Sequence, residues 1–328
     1  MILVTGATGH IGNVLVRELL AKGEVVRALV LPGEDCSALA GLPVEIVEGN
    51  VLDPQSLIPA FQGVHTVYHL AGIITIMPGK DDLVRKVNIQ GTKNIIRAAR
   101  QVKVNRLIYT SSIHAFKRLP EGVIIDETVP FDPDSTANEY DRSKAEATLA
   151  VLEETQQGLD AVIVCPTGVI GPHDYRLSEM GALFLDWIKN RLNFIINGYF
   201  DFVDVRDIAR GMMLACEKGR IGECYILSGQ RINLIQMMKL VKEAIGRRYM
   251  SLSLPIRLAR FTANFTPLFC RLTRSKPRFT SYSIETVMSN SNISCAKAQR
   301  ELGYTPRSLK VTIGDTVNWW FQHRHLWK

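Results

Sequence analysis

Residues 3–12 read LVTGATGHIG, and the rest of the chain is interpreted outward from them. An apolar run ends in three glycines, Gly6, Gly9 and Gly12. It gives way to an amphipathic segment, Asn13 to Lys22, in which Val14, Leu15, Leu19 and Leu20 share one face. The order is strand, glycine turn, helix. A backbone without Cβ atoms can come close to a pyrophosphate, and the start of the helix offers N–H groups and a partial positive charge to it. The turn Gly6, Ala7, Thr8, Gly9, His10, Ile11 and Gly12 is therefore read as a dinucleotide site.

Beyond this turn, strand-like and helix-like stretches alternate. Val25 to Leu31 and Val44 to Val47 read as strands, Pro54 to Phe61 as a short helix, and Thr66 to Leu70 as a strand. A long amphipathic helix is expected from about Asp82 to Gln101, a strand over Arg106 to Thr110, a helix over Asn138 to Gln156 and a strand over Ala161 to Cys165. Such alternation predicts an α/β chain with a Rossmann-type, doubly wound parallel sheet, its ligands at the carboxyl ends of the strands. Residues 1–165 are expected to form that nucleotide-binding core. Residues 166–328, where the pattern loosens, are expected to be mostly a smaller C-terminal substrate-binding lobe interleaved with the last core strands and helices.

At 328 residues and 46% hydrophobic, the chain can build a sizeable core plus a lobe. The first strand begins at Ile2, no apolar stretch has spanning length, and a cytoplasmic enzyme is expected. Cys36, Cys165, Cys216, Cys224, Cys270 and Cys295 show no Cys-x-x-Cys pair and no histidine cluster, so reduced thiols and no metal site are expected. The net charge is +7, yet the segment from Ala244 to Ile284 alone carries eight cations and no carboxylate. With the basicity confined there, a nucleic-acid-binding surface is not expected.

Tyr140 and Lys144 are four apart on a predicted helix and so share a face. A phenol titrates near 10 in water, and a neighbouring ammonium lowers that value. Ser112 follows the strand Arg106 to Thr110, at the sheet edge where ligands bind, and its hydroxyl can hold a substrate oxygen against Tyr140.

Together these residues resemble the extended short-chain dehydrogenases/reductases, the superfamily of nucleotide-sugar epimerases and dehydratases, 3β-hydroxysteroid dehydrogenases and dihydroflavonol 4-reductases. The resemblance covers nearly the whole chain. It rests on TGATGHIG (5–12), HLAG (69–72), VNIQGT (87–92), YTSS (109–112), YDRSK (140–144), PTGVIGP (166–172) and FVDVRDIA (202–209). It implies that Tyr140 is the catalytic acid/base, that Lys144 binds the nicotinamide ribose and tunes Tyr140, that Ser112 positions the substrate oxygen and that Asn88 supports the site. It further implies that Leu70, Ala71, Gly72 and Thr110 line the cofactor, Asn50 and Val51 its adenine, and Pro166, Thr167, Gly168 and Val169 the nicotinamide.

The departures from the family pattern carry information too. Where the family usually has an Asp for the ribose of NAD or an Arg for the 2′-phosphate of NADP, this chain has Val30 and Leu31. No Lys or Arg occurs from Ala28 to Gly79, and Glu34 and Asp35 follow the strand, so the local charge favours NAD over NADP. Arg27, or a cation arriving from elsewhere in the fold, would reverse that preference. Dehydratases of the superfamily place Asp-Glu after the catalytic hydroxyl, whereas Ser112 is followed here by Ile113 and His114. Epimerases commonly place an Arg near Phe200 for the nucleotide diphosphate, and here the run is Gly198-Tyr199-Phe200-Asp201.

With the apolar run Ile73-Ile74-Thr75-Ile76-Met77-Pro78, these departures favour a secondary alcohol or ketone on a small apolar substrate, steroid-like or flavonoid-like. The resemblance is then strongest to the dihydroflavonol reductase and 3β-hydroxysteroid dehydrogenase branch. A nucleotide-sugar 4-epimerase and a non-catalytic NAD(P)-sensing protein are the alternative readings. Ile73, Ile74, Ile113, His114 and His173 are candidate substrate contacts. Residues 254–278, mixing phenylalanines with arginines, are read as a lid, a peripheral membrane contact or a holder of an anionic substrate. The chain is expected to be a homodimer or a monomer.

Overall fold

A computed structural model of the chain describes residues 1–74, 81–246, 250–257 and 281–327. Its strands are β1 (Ile2–Thr5), β2 (Val26–Val30), β3 (Glu45–Glu48), β4 (Thr66–His69), β5 (Arg106–Thr110), β6 (Ala161–Pro166), β7 (Gly168–Ile170), β8 (Leu192–Ile196), β9 (Tyr199–Asp204), β10 (Cys224–Leu227), β11 (Gln230–Asn233) and β12 (Met250–Leu254). Seven of them form one parallel sheet in the order β10-β6-β5-β4-β1-β2-β3. The strand order reverses between β1 and β4. That is the switch point where a doubly wound sheet opens a crevice at its carboxyl edge.

Side chains alternate across the sheet and fill two apolar layers. Leu3, Leu29, Val67, Leu107 and Ile163 pack against α2 (Pro54–Phe61), α4 (Thr92–Gln101) and α5 (Glu139–Gln156) through Leu57, Phe61, Ile95, Ile96 and Val151. Val4, Ala28, Tyr68, Ile108 and Val162 face α1 (His10–Ala21) and α7 (Val205–Lys218) through Leu15, Leu19, Ile208 and Met212. The last strand of the sheet, β10, comes from beyond residue 165, as does α7, which packs on α1.

The remaining strands make a three-stranded sheet, β11-β9-β7, and a pair, β12-β8. Helices α6 (Glu179–Lys189), α8 (Leu234–Ile245) and Leu309–Gln322 pack together over this part of the chain, burying Trp187 and Trp320.

The helix expected over 82–101 is present without a break but is not uniform. It comprises α3 (Asp81–Arg85), a π-helical turn (Lys86–Gly91) and α4. The Thr92 hydroxyl takes the Asn88 carbonyl at 2.6 Å, and a Cβ on Gly91 would stand 2.7 Å from Val51 Cγ2. The wider turn thus lies close on Val51 and carries Asn88 toward the sheet edge.

Among the described residues no helix is long and apolar enough to cross a membrane. Thr75 to Pro78, Cys270 and most of the basic segment, residues 258–280, lie outside them. The other five cysteines are unbridged, with Cys165 and Cys224 side by side on neighbouring strands, their sulfurs 3.0 Å apart.

Candidate active site

The glycine turn has the geometry of a phosphate cradle. Gly6 adopts φ +68°, which favours glycine, and a Cβ there would lie 2.8 Å from the Ala71 nitrogen. A Cβ on Gly12 would fall 2.1 Å from the Gly6 carbonyl oxygen, so no larger residue fits where α1 leaves the turn. Gly9 is the N-cap of α1 and contributes no side chain to the exposed helix start. Ala7 and Thr8 are buried, while His10 and Ile11 are half-buried at the rim. These residues fit the pyrophosphate of a dinucleotide.

At the neighbouring strand ends, Leu70, Ala71 and Gly72 follow β4 and lie against the turn. The Thr5 hydroxyl accepts the Leu70 and Ala71 N–H groups at 3.2 and 3.0 Å. Having accepted both, it donates to His69 Nδ1 at 2.8 Å, which leaves Nε2–H of His69 to donate to the Thr92 hydroxyl at 3.1 Å. Burial pushes His69 down to about 3, with the Lys144 charge acting in the same direction, so the imidazole is neutral and its tautomer is set by these two threonines. Asn88 is fully bonded. Its amide donates to the Ile73 carbonyl and the Ser143 hydroxyl, and its oxygen accepts the Ile73 N–H at 2.8 Å.

Ser112, Tyr140 and Lys144 are brought together at the ends of β5 and α5. All three are buried. Asn138 caps α5 by accepting the Asp141 N–H at 2.7 Å, which places Tyr140 in the first helical turn. Burial raises the Tyr140 phenol to about 12; a hydrogen bond with Ser112 lowers it, and the nearby Asp141 charge raises it. Burial lowers Lys144 to about 8, and its ammonium donates to the Thr110 carbonyl at 2.6 Å. Lys144 Nζ also stands 3.7 Å from the position of a Cβ on Gly72, so Gly72, Asn88 and Lys144 form one wall.

The other predicted cofactor residues line the same edge. Val30 is buried and Leu31 half exposed at the end of β2. Asn50 turns its side-chain oxygen onto the Leu52 N–H, and Val51 is buried with its carbonyl accepting from Asn94. Pro166 ends β6 and leads through Thr167 into Gly168 and Val169 of β7. Thr167 donates to Asp201 at 2.6 Å; burial pushes Asp201 up to about 6 against this bond and the Gly229 N–H.

Arg27 sits near the start of β2, away from the carboxyl edge. It donates to the carbonyls of Ala60 and Gln62 and pairs with Glu45 at 3.0 Å, which takes it out of contention for a 2′-phosphate.

On the substrate side, His114 lies 6.3 Å from the Tyr140 ring and stacks on Phe200 at 5.8 Å and 12°. Tyr282 closes a third side of the imidazole at 6.0 Å and donates to Asp141 at 2.8 Å; Arg118 pairs with the same carboxylate at 3.3 Å. Burial and Arg118 push His114 down, and Asp141 opposes them. A pocket lined by apolar and aromatic side chains, Ile113, His114, Phe116, Leu119, Phe200 and Ile293 among them, and also by Lys117, Arg118, Ser289 and Asn290, opens beside this group. Ile73 is fixed by Asn88, whereas Ile74 is 72% exposed. His173 is distant in role: it packs by Tyr175 and Trp319, and burial lowers it to about 4.

Sequence reading missed Asp141, Tyr282 and Asp201. Asp141 lies inside the YDRSK motif and was within reach. Tyr282 is brought in from far along the chain, with no signal of its own.

Known proteins resemble this chain over nearly its whole length. Sterol demethylase protein B of Methylococcus capsulatus is 37% identical over 321 residues, covering 97% of each chain. A putative dihydroflavonol 4-reductase of Synechocystis is 30% identical, covering 98% of this chain and 95% of that one. The crystal structure of gox2253 superposes with a TM-score of 0.86 at 32% identity over 98% of both chains. The model of the NAD dependent epimerase/dehydratase family matches residues 2–228. The chain belongs to that family and is an NAD-dependent oxidoreductase of the extended short-chain dehydrogenase/reductase type.

Proposed function

We propose that the protein interconverts a secondary alcohol and a ketone on a small apolar substrate, steroid-like or flavonoid-like, with Tyr140 as the proton carrier. The observation that carries this reading is the flat stack of His114 on Phe200 beside Tyr140. An apolar ring stands where sugar-nucleotide enzymes of the family commonly hold a diphosphate with an arginine, and a desolvated aromatic wall favours a flat hydrocarbon skeleton over a charged one. The names of the sterol and dihydroflavonol relatives support the same substrate class.

The chain's own residues divide the work. Gly6 to Gly12 hold the pyrophosphate; Lys144, beside Gly72 and Asn88, holds the nicotinamide ribose. When bound, NAD supplies the hydride acceptor and NADH the hydride donor at the nicotinamide. Ser112 orients the substrate oxygen. In reduction the Tyr140 hydroxyl gives its proton to that oxygen and becomes the phenolate; in oxidation the Tyr140 phenolate takes the alcohol proton. At about 12 the phenol is protonated at neutral pH, so the resting site is set for proton donation. Burial and the aromatic wall keep water from the transferred proton.

A panel of steroid, flavonoid and sugar-nucleotide substrates, followed at the nicotinamide absorbance band with NAD and NADH, tests this reading. Net cofactor turnover with an apolar alcohol or ketone is expected. Conversion of a nucleotide sugar without net absorbance change would replace it with the epimerase reading.

A further inference from the structure

The strand pair β12-β8 carries an apolar pattern that the described residues leave largely uncovered. Strand β12 reads Met250-Ser251-Leu252-Ser253-Leu254, a strict alternation, and in β8 Leu192, Phe194 and Ile196 likewise share one face. The parallel register sets Met250 beside Leu192, Leu252 beside Phe194 and Leu254 beside Ile196, so these side chains make one sheet face. Its two ends differ. Ile196 is buried with Ile284 and Val287 of the helix Ser281–Met288, and Ile256 packs beside them. Away from this helix, Leu192, Phe194, Met250 and Leu252 are 46%, 50%, 68% and 48% exposed. On the other face of β8, Asn193 and Ile195 are buried, and the strand packs on α8. Alternation of this kind belongs to a strand with one buried side, and here the apolar side is turned outward. A contiguous apolar patch of this sort marks an interaction surface.

Cations frame the patch. Arg191 precedes β8, and its carbonyl accepts the Met250 N–H at 2.8 Å, so it stands at one end of the pair; Arg257 follows β12 past the other. Both are exposed, and neither has a carboxylate partner among the described residues. The stretch from Ala244 to Ile284, which includes β12, carries eight cations and no Asp or Glu. The acids that bound it are Glu243, which pairs with Lys239 at 3.9 Å, and Glu285, so the setting of the patch is positive.

We infer that this face docks on a bilayer of anionic lipid, with Leu192, Phe194, Met250 and Leu252 entering the headgroup boundary while Arg191 and Arg257 meet the phosphates. A lipid surface supplies both the apolar depth and the negative charge that the patch lacks. A second copy of the chain fits less well, because a symmetric contact would bring the same uncompensated cations together. One turn, Asn197-Gly198, separates β8 from β9, whose Phe200 stacks on His114. Docking therefore holds the pocket-bearing lobe against the phase in which apolar molecules concentrate. The inference does not depend on the reaction assigned to the crevice.

The test is co-sedimentation of the full chain with vesicles of phosphatidylcholine alone and of phosphatidylcholine mixed with phosphatidylglycerol, at low and high salt. Binding to the anionic vesicles at low salt is expected, falling as salt rises, with little binding to the neutral ones. Phe194→Gln combined with Met250→Gln should weaken partition at least about tenfold, through lost apolar burial. Arg191→Gln combined with Arg257→Gln should weaken it by about tenfold through lost charge. All four side chains are exposed, so melting temperatures should stay at the unsubstituted value, which separates lost docking from lost folding. Absence of binding to anionic vesicles at low salt overturns the inference, as does equal binding to neutral vesicles or full binding by either double variant. Sedimentation velocity without lipid adds one further outcome: a dimer that Phe194→Gln disperses assigns the face to a second copy and overturns the lipid reading.

Discussion

The His114 imidazole lies flat on the Phe200 ring, 5.8 Å between centroids and 12° between planes, with the Tyr140 ring 6.3 Å away. Such aromatic pairs contribute about 0.5–1.5 kcal/mol beyond the area they bury. Because the stack borders the proposed substrate pocket and stands apart from the proposed proton carrier, Phe200→Ala is expected to raise KM for an apolar substrate by roughly tenfold while kcat changes less than about threefold. Steady-state kinetics decides this. A loss confined to kcat would show that Phe200 acts on the chemistry and does not build the substrate wall.

Lys144 gives a pH dependence with a defined sign. Burial lowers it to about 8, so the ammonium is complete below that pH and is lost as the pH rises through it. NADH affinity should therefore be level at pH 6–7 and weaken above about 8. Lys144→Met should bind weakly at every pH and lose the step. Titrations across this range check both expectations.

Gly12 is a steric requirement. A methyl group there meets the Gly6 carbonyl oxygen at 2.1 Å, backbone against backbone, with no side chain to give way. Gly12→Ala should cost about 1–3 kcal/mol of stability, as overpacking does, and distort the turn enough to weaken nucleotide binding. Thermal melts and cofactor titration read the two effects separately.

Asp201 is buried between Thr167 and Gly229, among the described residues without a hydrogen-bonding or ion-pair partner of opposite charge, and burial lifts it to about 6. Its folded value lies above the ordinary carboxylate range, so ionising it opposes folding. Its contribution is greatest at low pH and is lost as pH rises through about 6. Asn keeps an oxygen to accept both hydrogen bonds. Asp201→Asn should therefore melt a few degrees higher at pH 8 and show a smaller difference at pH 5.

Much of the architecture was legible because parallel strands buried on both faces read as short apolar runs, and the helix Pro54 to Phe61 was predicted to the residue. The π-helical turn at Lys86–Gly91 was not: Gly91 lies close on Val51 and Thr92 bonds His69, contacts with segments distant in sequence. The same limit applies at the crevice. Tyr140 and Lys144 share a helix face by spacing alone. The ion pair of Glu34 with Arg176, and the closure of Tyr282 on Asp141, come from chain-distant segments that no local pattern announces.

Tyr140 is proposed to move the proton during hydride exchange with an apolar alcohol or ketone. The direct measurement is nicotinamide absorbance during turnover by the unsubstituted protein and by Tyr140→Phe, with NADH affinity measured for both. Turnover is expected in the first, with a loss of about 10²–10⁴-fold or more in the second and NADH affinities within about threefold. Turnover by Tyr140→Phe at the unsubstituted rate would contradict it.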